Sequence, residues 1–287
     1  MVRAPCETIE PSMADGYSSL HRMQIETVDR VKAQEPAENG GKKCWFCNLL
    51  RQDTGNGPAL GDCQQFECGK VRRRRIAKHA SLARKGDRLS GLYSLRFGQL
   101  KLIGGDQHEQ RVAGFHMPGD IIGLESIAVG RHRFRLLALE DCEVCEIPFP
   151  SLAALTARQP ECQREFMNAF SAALNDEYSR SAILSMNSLE QRFVGFLLNV
   201  GEKYARLGYS SNSFRLSMTR GDIGSYLGTS IESISRLISR FNGRGVTLIS
   251  GRTVDLLDRH HLEALARGDS EPHGARSPTS PTPNPLA

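Results

Sequence analysis

The stretch TRGDIGSYLGTSIESISRLISRF, residues 219–241, constrains the fold more tightly than any other part of the chain. Two short helices that cross at a tight turn need apolar anchors at fixed offsets, a small residue at the crossing and a glycine in the turn. With Arg220 as the first position, Ile223 is fourth, Gly224 is the small fifth, Leu227 is eighth and Gly228 is the turn glycine at nine. Ile231, Ile234 and Leu237 then fall at twelve, fifteen and eighteen and are expected to anchor the second helix. Glu232, Ser233, Ser235, Arg236, Ser239 and Arg240 are left on exposed faces. These are short or hydrogen-bonding side chains, able to reach base edges in a major groove.

An ordinary helix pair with a solvated face could carry the same anchors. The next segment, GVTLISGRTVDLL, favours a more specific reading, because it has the pattern of two short strands around a Ser250-Gly251 turn. A hairpin directly after the second helix makes a winged unit. Arg215, Arg220, Arg236, Arg240, Arg244 and Arg252 can contact phosphates, which gives affinity without sequence information. The net charge of +5 agrees with an anionic partner but is too modest to argue from alone.

Upstream, residues 72–150 hold short apolar runs punctuated by Gly or Asp at 86, 87, 91, 98, 104–106, 119 and 120. This pattern predicts a small antiparallel barrel or roll, with no room for the crossover helices of a parallel sheet. From about residue 151 the period becomes helical. Phe166, Phe170, Leu174 and Ser181 recur at helical steps, and Pro160 stands where a helix can begin. One apolar face of such a helix can rest on the barrel while a second stripe forms a dimer seam. The alternative is a helix buried wholly within one subunit.

The chain therefore divides into a disordered arm over 1–43, a cysteine-bearing segment over 44–71, a barrel over 72–158, a dimerisation helix over 159–186, a winged helix-turn-helix over 187–267 and a disordered tail over 268–287. The tail, GDSEPHGARSPTSPTPNPLA, is too poor in apolar residues to offset its ordering entropy. No apolar run reaches the roughly 18–20 residues of a membrane helix, and the first residues lack the core of a secretory signal. The expected location is the cytoplasm, with Met13 and Met23 as further candidate starts. In that reducing compartment cysteines serve as ligands or redox groups more often than as disulfides.

A barrel, a long helix and a winged helix in this order resemble the Crp/Fnr family of bacterial transcription regulators. FRLSMTRGDIGSYLGTSIESISRLISRF, GFHMPGDIIG and CEVCEIPF are similar to the family's oxygen-sensing branch, that of the fumarate-nitrate reductase regulators. The resemblance spans roughly residues 44–257. It implies an α+β chain that binds double-stranded DNA as a homodimer, reads palindromes with TTGAT-like half-sites and works with RNA polymerase. It also implies that Glu232, Ser235 and Arg236 read the bases, in the branch's E-x-x-S-R spacing. Arg236 suits a guanine, Glu232 a cytosine amino group, and Ser235 either base.

The cyclic-AMP-binding branch carries an Arg-Ser pair and a Glu in its phosphate cassette. GLESIAVGRHRFRLLAL has no such pair, and Leu124 stands at the Glu position, so cyclic AMP is not expected to bind. Arg131, His132, Arg133 and Arg135 form a basic cluster that reads as a solvated loop and strand face in preference to an anion site, and Arg72 to Arg75 as a solvated strand edge. On the long helix, Phe170 and Leu174 belong to the expected dimer seam. Glu177 matches an acidic residue of the branch that would oppose its symmetry mate and weaken the apo-dimer.

The branch holds a [4Fe-4S] cluster with a C-x2-C-x5-C run and one distant cysteine. Cys44, Cys47 and Cys145 match three of these positions, but the third position of the run is Asp53. Three arrangements stay open. Asp53 can be an oxygen ligand, a harder and weaker partner than thiolate. The loop DTGNGPALG can refold to bring in Cys63 or Cys68. Or Cys44, Cys47, Cys63 and Cys68 bind zinc. A chain without metal is a fourth possibility. Cys142 is an extra thiol, while Cys6 and Cys162 have no partner at motif spacing. Two competing classes accompany the sensor: a clusterless regulator of the same family, and a non-DNA-binding enzyme or module, against which stands the lack of any nucleophile–base pairing or phosphate-binding loop.

Overall fold

A computed structural model of the chain describes residues 71–106, 109–158 and 160–269. Cys6, Cys44, Cys47, Asp53, Cys63 and Cys68 lie outside the described residues, as do the arm and nearly all of the tail.

The first unit is a roll of two four-stranded antiparallel sheets. Strands β1 (Arg72–Ile76), β8 (Cys142–Pro148), β3 (Gly91–Phe97) and β6 (Ile121–Ile122) form one sheet in that order. Strands β2 (Ser81–Ala83), β7 (Arg135–Ala138), β4 (Leu100–Gly104) and β5 (Arg111–His116) form the other. Between them lie Ile76, Leu82, Leu95, Leu100, Ile122, Leu136 and Val144, each 5% exposed or less. Gly98 turns the corner from β3 to β4 at φ +82°, where a Cβ would lie 2.5 Å from the Asp141 carbonyl oxygen. Only glycine fits both constraints. β1 is an edge strand, and its Arg72, Arg74 and Arg75 are exposed, as a solvated edge requires.

Helix α1 (Phe149–Arg158) leads into α2 (Pro160–Leu184), which begins at the expected proline. Cys162, Phe166 and Ala169 of α2 face the barrel and pack with Leu92, Ile121, Cys145, Ile147 and Leu152. A second face carries Met167, Phe170, Leu174 and Tyr178, between 41% and 64% exposed. The periodic set of the sequence is thus shared between two faces, with Phe166 inside and Phe170 and Leu174 outside.

The second unit starts with α3 (Leu189–Arg206). Ser188 and Gln191 close its first turn as a reciprocal capping box. It continues with β9 (Ser213–Arg215), α4 (Arg220–Leu227), α5 (Ile231–Gly243), β10 (Thr247–Ser250), β11 (Thr253–Leu256) and α6 (Arg259–Arg267). The wing is a three-stranded sheet in the order β10-β11-β9, one strand more than the two that the sequence pattern predicts. Phe193, Val194, Leu197, Ile223, Leu227, Ile234, Leu237 and Phe241 fill the core of this unit at 2% exposure or less. Burial of each such side chain contributes about 1.5–3 kcal/mol relative to leaving it in water.

Candidate nucleic-acid interface

Gly224 and Gly228 set the angle between α4 and α5. A Cβ on Gly224 would lie 2.9 Å from the Thr229 carbonyl oxygen, so the helices meet there almost backbone to backbone. Gly228 takes φ +70° and caps α4 in the left-handed region. Thr219 and Asp222 form a capping box at the other end of α4, and the Ser230 hydroxyl caps α5.

Ile234, Leu237, Ile238 and Phe241 turn inward from α5 at the helical spacing of three, four and seven. Ile231 does not join them. It occupies the first turn of α5, ahead of the packed stripe, and is 49% exposed, which corrects its expected anchoring role. Ile238 and Phe241 supply the anchoring that Ile231 does not.

The opposite face of α5 presents Glu232, Arg236, Ser239 and Arg240 to solvent, with Ser233 and Ser235 half-buried. The backbone N–H of Glu232, the Ser230 hydroxyl and the Arg236 charge hold the Glu232 carboxylate below its ordinary value, so it is an acceptor at neutral pH. The Arg220 guanidinium donates to the Ser235 hydroxyl at 3.3 Å. Arg240 is paired with Glu190 at the start of α3, so a phosphate contact by Arg240 has to compete with that carboxylate. Arg252 lies in the wing turn and is half-buried, while Arg215 and Arg244 are exposed. The structure thus gathers Glu232, Ser235, Arg236, Arg220 and Arg240 on one side of the winged unit.

The α4 helix also docks on the barrel, which sequence reasoning did not find. Its Asp222, Ser225 and Tyr226 share one face. Lys101 of β4 donates to Asp222 at 2.5 Å, and the Val112 N–H of β5 donates to the Ser225 hydroxyl at 2.9 Å. Phe115 packs against both Tyr226 and Phe196. Burial alone would raise the Asp222 carboxyl, but Lys101 and the Thr219 donors outweigh it and hold the group below its ordinary value. The Thr219-x-x-Asp222 spacing announces a helix cap, yet nothing local announces a barrel lysine 121 positions away.

The candidate sensor residues are divided by the described range. Cys145 is fully buried on β8, facing the apolar cluster that reaches α1 and α2. Val71, where the cysteine-bearing segment enters the barrel, packs against that same cluster, and Arg73 stands opposite Cys145 across the β1–β8 pair. Cys162, for which the sequence suggests no special role, lies in this cluster too. Cys142 points the other way, into the barrel, and its thiol donates to the carbonyls of Gln99 and Glu140. Burial pushes the Cys142 thiol up to about 12, which makes it a poor source of thiolate.

Two expectations in the barrel are refined. Arg131, Arg133 and Arg135 are exposed as expected, but His132 is 2% exposed and stacks on Tyr93, so it belongs to the interior rather than to a solvated basic face. Leu124, in a 3-10 turn over Leu124–Ser126, is half-buried against the Cys145 cluster. An apolar side chain there offers no hydrogen bond to a sugar hydroxyl. On α2, Glu177 accepts from Arg180 at 2.9 and 3.0 Å, so part of its charge is already compensated.

A barrel of the cyclic-nucleotide-binding type joined to a winged helix-turn-helix with an exposed polar recognition face defines a DNA-binding transcription regulator. Residues 73–159 match the family described as cyclic nucleotide-binding domain, and residues 191–265 match the Crp-like helix-turn-helix domain. The chain is 36% identical over 196 residues to the fumarate and nitrate reduction regulatory proteins of Salmonella typhimurium and of Escherichia coli K12, covering 68% of this chain and 78% of theirs. Among solved structures it is similar to FixK2 from Bradyrhizobium japonicum, with a TM-score of 0.60, 26% identity and coverage of 69% of this chain and 98% of that one. A CRP-family regulator from Thermus thermophilus shares the fold at a TM-score of 0.55 and 19% identity, over 68% of this chain and 96% of that one. The chain belongs to the Crp/Fnr family, whose members matched here are transcription regulators and not enzymes. Among the described residues no helix is long and apolar enough to cross a membrane.

Proposed function

We propose that the chain is a cytoplasmic regulator that binds TTGAT-like palindromes as a homodimer and answers to oxygen or redox state through an iron–sulfur cluster. The observation that carries the sensor reading is Cys145. Its thiol is buried among apolar side chains at the point where Val71 brings in the cysteine-bearing segment, and the same cluster includes Phe166 and Cys162 of α2. A soft thiolate donor shielded from water suits such a cluster. Cys44 and Cys47 would hold it with Cys145, and Asp53, Cys63 or Cys68 would complete the set. When bound, the group supplies an oxygen-labile tie between that segment and the barrel. The chain's part is to place Cys145 beside α2, so that order in the segment favours packing near the dimer helix and binding shifts the population toward dimer. The relatives' name connects them with fumarate and nitrate reduction, which fits regulation by oxygen or redox state.

Anaerobic purification followed by iron and sulfide analysis tests this reading. About four irons per chain, lost in Cys145→Ala and bleached by air, are expected. Of Asp53→Ala and Cys63→Ala, the variant that loses iron names the remaining ligand. Iron-free protein after anaerobic reconstitution, with DNA binding unchanged in air, would overturn it. That result would favour the second reading, a clusterless or zinc-bearing regulator, to which Asp53 in place of a thiolate already points.

The exposed face of α2 supports the dimer. Met167, Phe170, Leu174 and Tyr178 lie at three-, four- and seven-residue steps, the seam expected of two helices packed side by side. Phe170→Asp is expected to convert the chain to monomer at micromolar concentration in analytical ultracentrifugation, because it buries two charges across the symmetry axis. Glu177→Ala is expected to tighten the dimer only slightly, since Arg180 already compensates the charge. Sedimentation of both variants with the wild type checks the pair. Contact with RNA polymerase follows from the role of a transcription regulator and belongs to the same proposal.

A further inference from the structure

The three parts of the chain meet at a single ammonium. Lys203, on the last turn of α3, places its Nζ 2.9 Å from the Asp176 carboxylate of α2 and 3.7 Å from the Asp120 carboxylate of the β5–β6 turn. Its side chain is only 15% exposed. Arg206 approaches Asp176 at 3.1 Å, and His116 Nδ1 lies 3.4 Å from Asp120, which also accepts the Met117 N–H at 3.0 Å. Burial by itself would raise Asp120, yet Lys203 and His116 hold it well below the usual carboxylate range.

We propose that Lys203 is a positioning residue for DNA recognition, which acts with the α4–barrel contacts to hold the winged unit at a set angle to the dimer helix and to the barrel. The inference rests on the reading of the chain as a dimeric DNA-binding regulator. The connection between α2 and α3, residues 185–188, is the only covalent link between the barrel-bearing part and the winged unit. Lys203 lies about four turns beyond that connection, at the far end of α3. A contact so far from a hinge has a long lever arm and restricts rotation far more than one beside it. The winged unit needs that restriction. Two recognition helices can enter successive major grooves together only if each is held at a set angle to the symmetry axis.

The charge balance makes the pin sensitive to its lysine. Asp120 and Asp176 come from different elements and share Lys203 between them. Without it, two carboxylates that both lie within 3.7 Å of one ammonium, 26% and 27% exposed, lose their common partner, and their repulsion adds to the lost attraction. Arg206 stays with Asp176 and His116 with Asp120, so neither takes over the bridge between the two elements. Arginine at position 203 could restore it.

Hydrogen exchange of the full chain and binding to two duplexes test the proposal. One duplex carries the palindrome and the other a single half-site. Lys203→Met is expected to speed exchange at residues 184–189 and 116–121 by about tenfold or more, with residues 231–243 still protected. Affinity for the palindrome is expected to fall by about tenfold or more while half-site affinity stays unchanged, and Lys203→Arg restores both readouts. If Lys203→Met does not fold, the charge-free Asp120→Asn/Lys203→Met/Asp176→Asn variant takes its place, with the same fast hinge exchange and weakened palindrome binding expected. Wild-type exchange rates in the hinge, or equal losses on both duplexes, would overturn the pin. A wild-type chain that binds neither duplex would instead overturn the DNA-binding reading, with the exchange result still deciding the pin.

Discussion

Arg236→Ala is expected to weaken binding to a TTGAT palindrome by about 30-fold or more, with little change in binding to unrelated DNA. Arg236 is exposed on α5, outside the stripe that packs the helix, so its removal leaves the winged unit folded. Its guanidinium can donate two parallel hydrogen bonds to the guanine of the half-site, a contact worth about 1–3 kcal/mol of discrimination. In the proposed dimer a palindrome engages both recognition helices, so the loss counts twice. Fluorescence anisotropy on three duplexes settles the role: the palindrome, the same palindrome with its guanines replaced, and an unrelated sequence. A base-reading Arg236 gives a selective loss on the first. Equal weakening on all three, with a flatter salt dependence, would make it a phosphate contact instead. Arg240 is the useful contrast. Its side chain is held by Glu190, so Arg240→Ala changes the contact between α5 and α3 as well as the charge facing DNA.

The helix-turn-helix was legible because its constraints are local. Ile223, Gly224, Leu227 and Gly228 fall within six positions, and each meets a local demand of the turn: an apolar anchor, a small residue at the crossing or a left-handed cap. Ile231 misled because it stands in the first turn of α5, ahead of the packed stripe, where its side chain stays 49% exposed; periodicity shows which side a residue faces, not how much of it is covered. The antiparallel roll was legible as a class from its glycine-punctuated runs. Its sheet order was not, since β1 pairs with β8 and β2 with β7 across more than fifty positions. His132 sits among arginines in the sequence, yet alternation along the chain turns it inward onto Tyr93 while Arg131 and Arg133 face water. The contacts that join the units, Lys101 with Asp222 and Lys203 with Asp120 and Asp176, look in the sequence like ordinary surface charges. Only the folded chain makes them partners.

Glu143→Leu is expected to destabilise the barrel by about 3–5 kcal/mol, the usual cost of orphaning a buried charge. Glu143 and Arg96 are paired with their side chains 8% and 9% exposed. Arg96 is the residue skipped in the β3–β8 register, where Leu95 pairs with Val144 and Phe97 with Glu143. The bulge is what turns a guanidinium into the sheet beside that carboxylate. Arg75 also reaches Glu143, but it is 87% exposed and keeps water as its partner when Glu143 is lost. Arg96 has no such recourse. Replacing both members with apolar groups of similar size removes the orphan, so Arg96→Met/Glu143→Leu is expected to recover most of the lost stability. Urea unfolding of the wild type, both single variants and the double variant measures the coupling. A cost below about 1 kcal/mol for Glu143→Leu would place the pair with exposed ion pairs and sink the argument. Glu143 lies two positions before Cys145 on the same strand. If Cys145 is the barrel's cluster ligand, Glu143→Leu should lower the iron retained by anaerobically purified protein and the double variant should restore it, because the bulge and its ion pair fix the strand that carries the thiol.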